Sequence, residues 1–202
     1  MRASKRQQVV DKAGELFSRH GFHPVGIDWI IAEADVARMT LYHHFASKDD
    51  LIKAVLEQRY TFIMESIAAK LDRMPHAAAR LKGIFDWYGT WFGSPEFAGC
   101  LFERALAEFG ATCPKVTDVA VRYRDDLLAL MEQLLSELVP RRRARQLAGV
   151  YVMLLSGATA DARAIGDARA AARAWQAAEM LLNESRAATE SESTRKTRGR
   201  DA

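Results

Sequence analysis

Arg38, Met39, Thr40, Tyr42 and His43 are the residues of this chain whose types and spacing carry the most chemistry, and that chemistry is hydrogen bonding rather than reaction. A guanidinium at the start of a short helix can donate two parallel hydrogen bonds to the O6 and N7 of a guanine, worth roughly 1–3 kcal/mol of discrimination. A neighbouring threonine suits a phosphate oxygen or a thymine methyl. No reactive constellation accompanies them. His43 and His44 are adjacent rather than spaced along one helix face, His76 stands alone, and no Ser-His-Asp set, zinc-ligand spacing or phosphate loop occurs. The sequence therefore predicts no enzyme, no cofactor and no metal.

The elements that must hold those side chains are short helices. Val9, Val10, Ala13, Leu16 and Phe17 recur at helical spacing from Ser4 to His20, and Gly21 stands where a left-handed C-terminal cap is wanted. Ile27, Ile30, Ile31 and Ala34 make one face of a second helix, with Asp35 in the following turn. A third helix over about 37–43 directs Val36, Leu41 and Phe45 inward and leaves Arg38, Met39, Thr40, Tyr42 and His43 outward. This is a helix-turn-helix, in which the second helix of the pair enters the major groove with its N-terminal side chains on base edges. Arg38 and Met39 are the predicted readers.

The same stretch resembles the tetracycline-repressor (TetR) family of transcriptional regulators, whose N-terminal module reads Leu-Phe-x-x-x-Gly-Phe, a helix-turn-helix, then Thr-Leu-Tyr-x-His-Phe-x-Ser-Lys. Leu16, Phe17, Gly21, Phe22, Ile27, Ile30, Ala34, Val36, Thr40, Leu41, Tyr42, His44, Phe45, Ser47, Lys48 and Leu51 fall in register without a gap, across about a quarter of the chain. The resemblance implies an all-α protein: a three-helix DNA-binding head over residues 1–47 and a helical ligand-binding and dimerisation body over 48–184. It implies that Tyr42, His43 and Lys48 contact phosphate, which fixes register without reading sequence. Most members carry Gly at the turn occupied here by Asp35, one of the few other residues that tolerates positive φ. Val25 and Gly26 replace a frequent Thr-Ser pair, which leaves only the Gly26 amide for phosphate. The predicted DNA-contacting set is Gly26, Ala37, Arg38, Met39, Thr40, Tyr42, His43 and Lys48. Ser47 reads as the N-cap of the next helix with Asp50 as its capping-box partner, and His44, beside inward-facing Phe45, reads as a packing residue.

Bulk composition adds little. The 202 residues carry a net charge of +3, and in the first sixty residues acid and base nearly cancel, so DNA affinity must come from placement. The absence of a long apolar run or a secretion signal predicts a cytoplasmic protein with no membrane contact. Cys100 and Cys113 have no Cys-x-x-Cys spacing, which argues against a disulfide or zinc site.

From Lys48 to about Arg73 an uninterrupted pattern predicts a helix of roughly 40 Å at 1.5 Å per residue. In the family the matching helix moves when an effector binds. Further helices are predicted over about 76–92, 97–109, 116–138, 142–165 and 167–183, broken by Gly93-Ser94-Pro95, Cys113-Pro114, Pro140 and Gly166. Phe62, Phe85, Trp87, Tyr88, Trp91, Phe92, Phe102, Phe109 and Tyr123 cluster in this region, as core or as the wall of an apolar, aromatic effector pocket. Trp87, Trp91, Phe102 and Tyr123 are the predicted wall. Cys100 offers an alternative, a thiol that senses oxidants or electrophiles, although a cysteine on an apolar helix is ordinarily a small buried hydrophobe.

In the last two helices, Leu147, Val150, Tyr151, Leu154, Leu155 and Ala158 form one stripe and Ala171, Trp175, Ala178 and Leu182 another. They read as internal core or as the four-helix dimer interface that the resemblance implies. A two-fold dimer on a palindromic operator would place half-sites roughly 34–36 Å apart. Residues 185–202 lack large apolar side chains and are predicted to be a disordered tail.

Overall fold

The computed structural model describes residues 4–198, and the described residues form an all-α fold. The helices are α1 (Lys5–His20), α2 (Ile27–Ala34), α3 (Arg38–His44), α4 (Lys48–Leu71), α5 (Ala77–Phe92), α6 (Leu101–Phe109), α7 (Pro114–Ser136), α8 (Arg141–Ile165) and α9 (Ala170–Arg198). They fall into two compact units, Met1–Glu65 with Ala98–Tyr123, and Ser66–Phe97 with Arg124–Ala202.

The first unit holds the helix-turn-helix. Ser4 caps α1 by accepting the Gln7 N–H at 3.1 Å, and Val9, Val10, Ala13 and Phe17 are buried against α2 and α3. Gly21 ends α1 with φ +91° and ψ 170°, so the predicted glycine stop is present but its backbone is not the left-handed helical cap. A Cβ at Gly21 would stand 2.8 Å from Glu108 Oε1, a second reason for glycine there. Asp35 does adopt the left-handed conformation, with φ 48° and ψ 57°, and its N–H and that of Val36 close back on α2. Ser47 accepts the Asp50 N–H at 3.2 Å and donates to the Asp50 carboxylate at 2.7 Å, the predicted cap of α4. On α4, Leu51, Ile52, Val55, Leu56 and Ile63 are buried, whereas Phe62, assigned from the sequence to the aromatic cluster, is 60% exposed. Its position one residue before Ile63 turns it away from that core residue.

The second unit packs α8 along α9, with both against α5. Phe85 sets its ring 5.8 Å from Tyr151 and 5.4 Å from Trp175, and the buried Tyr151 hydroxyl donates to the Ala178 carbonyl at 2.6 Å. Leu147, Tyr151, Leu155, Ala158, Ala171, Trp175, Ala178 and Leu182 are all buried within this one chain. Of the two stripes read from the sequence, those members form the unit's own core.

Two element boundaries are corrected. α6 starts at Leu101 rather than near Phe97, because Gly99 takes φ +94° and interrupts helical backbone. α9 is described to Arg198, past residue 185 where a disordered tail was expected. The first residue of that stretch, Ser185, is buried and its hydroxyl accepts from Arg143 Nε at 2.8 Å, a polar anchor that a count of large apolar side chains misses. Residues 199–202 of that expected tail lie outside the described residues.

Candidate nucleic-acid interface

The outward face of α3 is built by the packing behind it. Leu41 and Phe45 are buried, at 0% and 3% exposure, and turn the opposite face outward, leaving Met39 78% and Tyr42 42% exposed. Such large apolar exposure on a seven-residue helix marks a surface available to a partner. His43 is exposed and meets the edge of His44 at 5.2 Å. Thr40 is half-buried, and its N–H is satisfied by the Ala37 carbonyl at 2.9 Å. Ala37 and Gly26 are the exposed N-caps of α3 and α2, neither with a side-chain cap, and nothing lies within 4 Å of a Cβ built on Gly26. The early amides of α2 thus lack helical partners and are open to a phosphate oxygen. Val25 is fully buried, so the position where the family often has a hydroxyl serves the core here.

Arg38 opens α3, and its guanidinium is ion-paired with the Asp28 carboxylate in the first turn of α2. Both side chains are largely exposed, at 55% and 80%. Asp28 gives no signal of this role in the sequence, because pairing across a helix-turn-helix leaves no periodic trace. Lys48 is half-buried, and its ammonium donates to the His23 carbonyl at 3.4 Å. Burial holds the Lys48 amine below its ordinary value, with nearby Asp49 and Glu108 opposing that shift. His44, read from the sequence as packing, is instead exposed; only its neighbour Phe45 points to the core.

A contact not found from sequence is made by Glu108 on α6. Its carboxylate accepts the Phe22 N–H at 3.0 Å and the His23 N–H at 2.9 Å, just beyond α1, while Phe109 sets its ring 5.6 Å from Phe22 and 4.9 Å from His23. The end of α6 is thereby clamped to the loop that precedes α2.

The residues assigned to an effector wall lie in two groups. In the first unit Phe102 and Tyr123 are buried and stacked at 4.1 Å. In the second unit Trp87 and Trp91 are half-buried 5.7 Å apart, and the Trp87 Nε1–H donates to Ser66 Oγ at 2.9 Å. Cys100 is the half-buried N-cap of α6, and its thiol is pushed up to about 12, chiefly by burial. Cys113 directs its thiol to Asp49 Oδ2 at 3.7 Å. Among the described residues no group of three or more His, Cys, Asp or Glu is placed to hold a metal, and no helix is long and apolar enough to cross a membrane.

Comparison with known proteins agrees with this geometry over both parts of the chain. Residues 9–55 match the family described as bacterial regulatory proteins, tetR family, and residues 77–178 match the tetracyclin repressor-like C-terminal domain. The crystal structure of SCO4454, a TetR-family transcriptional regulator from Streptomyces coelicolor, superposes with a TM-score of 0.85 at 30% identity, covering 90% of this chain and 96% of that one. The transcriptional activator FasR of Mycolicibacterium smegmatis is 31% identical over 90 residues, 43% of this chain and 41% of its own. The transcriptional repressor DhaR of Mycobacterium sp. is 24% identical over 132 residues, 65% of this chain and 62% of its own. Both alignments thus span less than two thirds of those curated relatives. With the helix-turn-helix geometry, matches to N-terminal and C-terminal family domains, and a full-length structural relative, the chain belongs to the TetR family of DNA-binding transcriptional regulators.

Proposed function

We propose that this regulator is a cytoplasmic homodimeric repressor that binds a palindromic operator and is released when a small apolar or aromatic effector enters its body. The observation that carries the DNA half is the exposed row Arg38, Met39, Tyr42 and His43 on a helix whose other face is locked by Leu41 and Phe45. In this reading Arg38 and Met39 read base edges, Thr40 touches phosphate or a thymine methyl, and the Gly26 and Ala37 ends, Tyr42, His43 and Lys48 hold the backbone. The head comprises residues 1–47 and the body residues 48–184.

Dimerisation is supported by what α8 and α9 leave uncovered. Gly149, Met153 and Gly157 recur every fourth residue on α8, with Val150 and Leu154 beside them. Met153 is 59% exposed, and a Cβ on either glycine would meet nothing within 4 Å. Met180 of α9 is 72% exposed and Ala177 and Leu181 are half-buried. An open, small-residue apolar face suits a second copy of the same helix pair at close range.

Effector release requires that the ligand prefer one conformation over the other. The α6 clamp on Phe22 and His23 gives such a ligand a physical route to the head. Thiol sensing by Cys100 is disfavoured, since a thiol pushed up to about 12 carries almost no nucleophilic thiolate at neutral pH. The test is a footprint of the intergenic DNA beside the gene, with and without candidate effectors, joined to a transcription reporter. A symmetric footprint lost on effector addition, with transcription rising, is expected. Protection without two-fold symmetry, or transcription that falls on release, overturns the dimeric-repressor reading.

A further inference from the structure

The first turn of α1 touches both ends of α3. The Lys5 ammonium donates to the Asp35 carbonyl at 3.3 Å, in the turn that precedes α3, and the Arg6 guanidinium lies 5.2 Å over the ring of Phe45, the C-cap of α3. Beside that contact the same unit opens a groove of about 860 Å³, bounded by Arg6 of α1, by His44 and Ala46 at the end of α3, and by the face of α4 between Asp50 and Glu65. Its wall carries the exposed side chains of Arg6, His44 and Lys53, and none of the three is in an ion pair with another described residue.

The carboxylates of the groove leave those side chains unneutralised. Asp50 is held by Lys115 and by the Ser47 hydroxyl at 2.7 Å, and Glu57 is ion-paired with Arg122. Glu65 stands a further 12 residues along α4 from Lys53, about 18 Å at 1.5 Å per residue. The near cancellation of charge over the first sixty residues therefore conceals a local positive excess on a concave surface, which concentrates its field. Arg6 is also pre-set for binding: the Ser4 cap fixes its backbone and Phe45 holds its guanidinium by a cation–π contact, so a planar donor has little freedom left to lose. We propose that Arg6 and Lys53, with His44, form a second docking surface for the phosphate backbone of the operator. It continues the row Tyr42, His43 and Lys48, and that continuity favours DNA over an acidic protein segment. The inference rests on the reading of α3 as the element that meets DNA, and adds to it residues of α1 and α4 that position the head without reading bases.

Arg6→Gln combined with Lys53→Gln removes two charges from exposed positions and keeps polar side chains there. Binding is titrated against the footprinted intergenic duplex and a random duplex of equal length, over about 50–200 mM salt. The magnitude of the salt slope is expected to fall by about 2 on both duplexes, with base preferences unchanged. Ethylation interference is expected to lose a few phosphates of each half-site and keep the rest. Arg6→Gln alone should lower the slope by about 1, while Arg6→Lys keeps the wild-type slope because it keeps the charge. A slope that falls equally in Arg6→Lys makes Arg6 a packing residue and overturns its assignment. The inference fails if the double variant keeps the wild-type slope and interference pattern, or if its loss is confined to the intergenic duplex. Capture of a poly-glutamate peptide that the double variant loses, with DNA binding intact, assigns the groove to an acidic protein segment and also overturns it. If Arg38→Ala leaves base preferences unchanged while the double variant loses its phosphate signals, the docking surface stands and only the reader is reassigned.

Discussion

The guanidinium of Arg38 is held by the carboxylate of Asp28, so the base reader proposed above is ion-paired to the preceding helix. Two magnitudes decide between the partners. An exposed ion pair is worth roughly 0–1 kcal/mol, whereas a bidentate arginine–guanine contact discriminates by roughly 1–3 kcal/mol. Exchange of Asp28 for guanine is therefore favourable, and only the correct base offsets breaking the pair. Asp28→Asn is expected to tighten operator binding by up to about fivefold, with a smaller gain on wrong sequences, where the pair is not broken. Arg38→Ala is expected to flatten base preference at one operator position. Competition mobility shifts against single-base operator variants measure both, and unchanged preferences in Arg38→Ala would sink the assignment of the reader.

Lys48 differs in kind. Its partly buried ammonium at the start of α4 donates to a backbone carbonyl, and the role proposed for it is to hold phosphate rather than to read a base. Lys48→Ala should weaken binding to operator and random duplex by the same factor and reduce the magnitude of the salt slope by about 1. A loss confined to the operator contradicts a phosphate role.

The head is legible in sequence because its determinants are local. Glycine at Gly21, a residue tolerant of positive φ at Asp35 and a capping serine at Ser47 each specify backbone within a few residues. The periodic burial of Leu41 and Phe45 then aims the reader face. The features that escape sequence reading depend on residues distant in the chain. Asp28 finds Arg38 across a turn, and Glu108 finds Phe22 and His23 across 86 and 85 residues. The α8 and α9 stripes show the opposite failure: their periodicity signals burial correctly, but periodicity cannot say whether burial lies within a chain or between chains.

Glu108 is the joint between α6 and the head, and its carboxylate accepts two backbone N–H groups that no helix satisfies. Hydrogen bonds to a charged group contribute about 1.5–3 kcal/mol each, and the orphaned amides here can recover water in part. Glu108→Ala is expected to cost roughly 2–3 kcal/mol by urea denaturation. It should also reduce the response of operator binding to effector more than it reduces operator affinity itself. Equal losses of affinity and response would make Glu108 a purely structural cap.

Burial decides the fate of Cys100. A thiol pushed up to about 12 from an ordinary 9.0 has about a thousandfold less thiolate at neutral pH. In a Cys113→Ser background, Cys100 is expected to react with iodoacetamide at pH 7 about a thousandfold more slowly than an unperturbed thiol. Cys100→Ser should leave DNA release by effector intact. Labelling at the rate of a free thiol would revive oxidant sensing at this residue.

The open glycines of α8 distinguish a dimer interface from a solvent face. Because no described residue lies within 4 Å of a Cβ built on Gly149 or Gly157, a larger side chain there costs the monomer little, and its effect should appear only if a second copy packs on that face. Gly157→Leu is expected to leave the melting temperature of the dilute monomer unchanged or raised, since leucine is the better helix former. Overpacking of roughly 1–3 kcal/mol at a dimer interface corresponds to about 5- to 150-fold in the dimer dissociation constant. Sedimentation equilibrium measures that constant, and mobility shifts should show the variant losing a two-half-site operator more than a single half-site. An unchanged dimer in Gly157→Leu would move the interface off this face of α8.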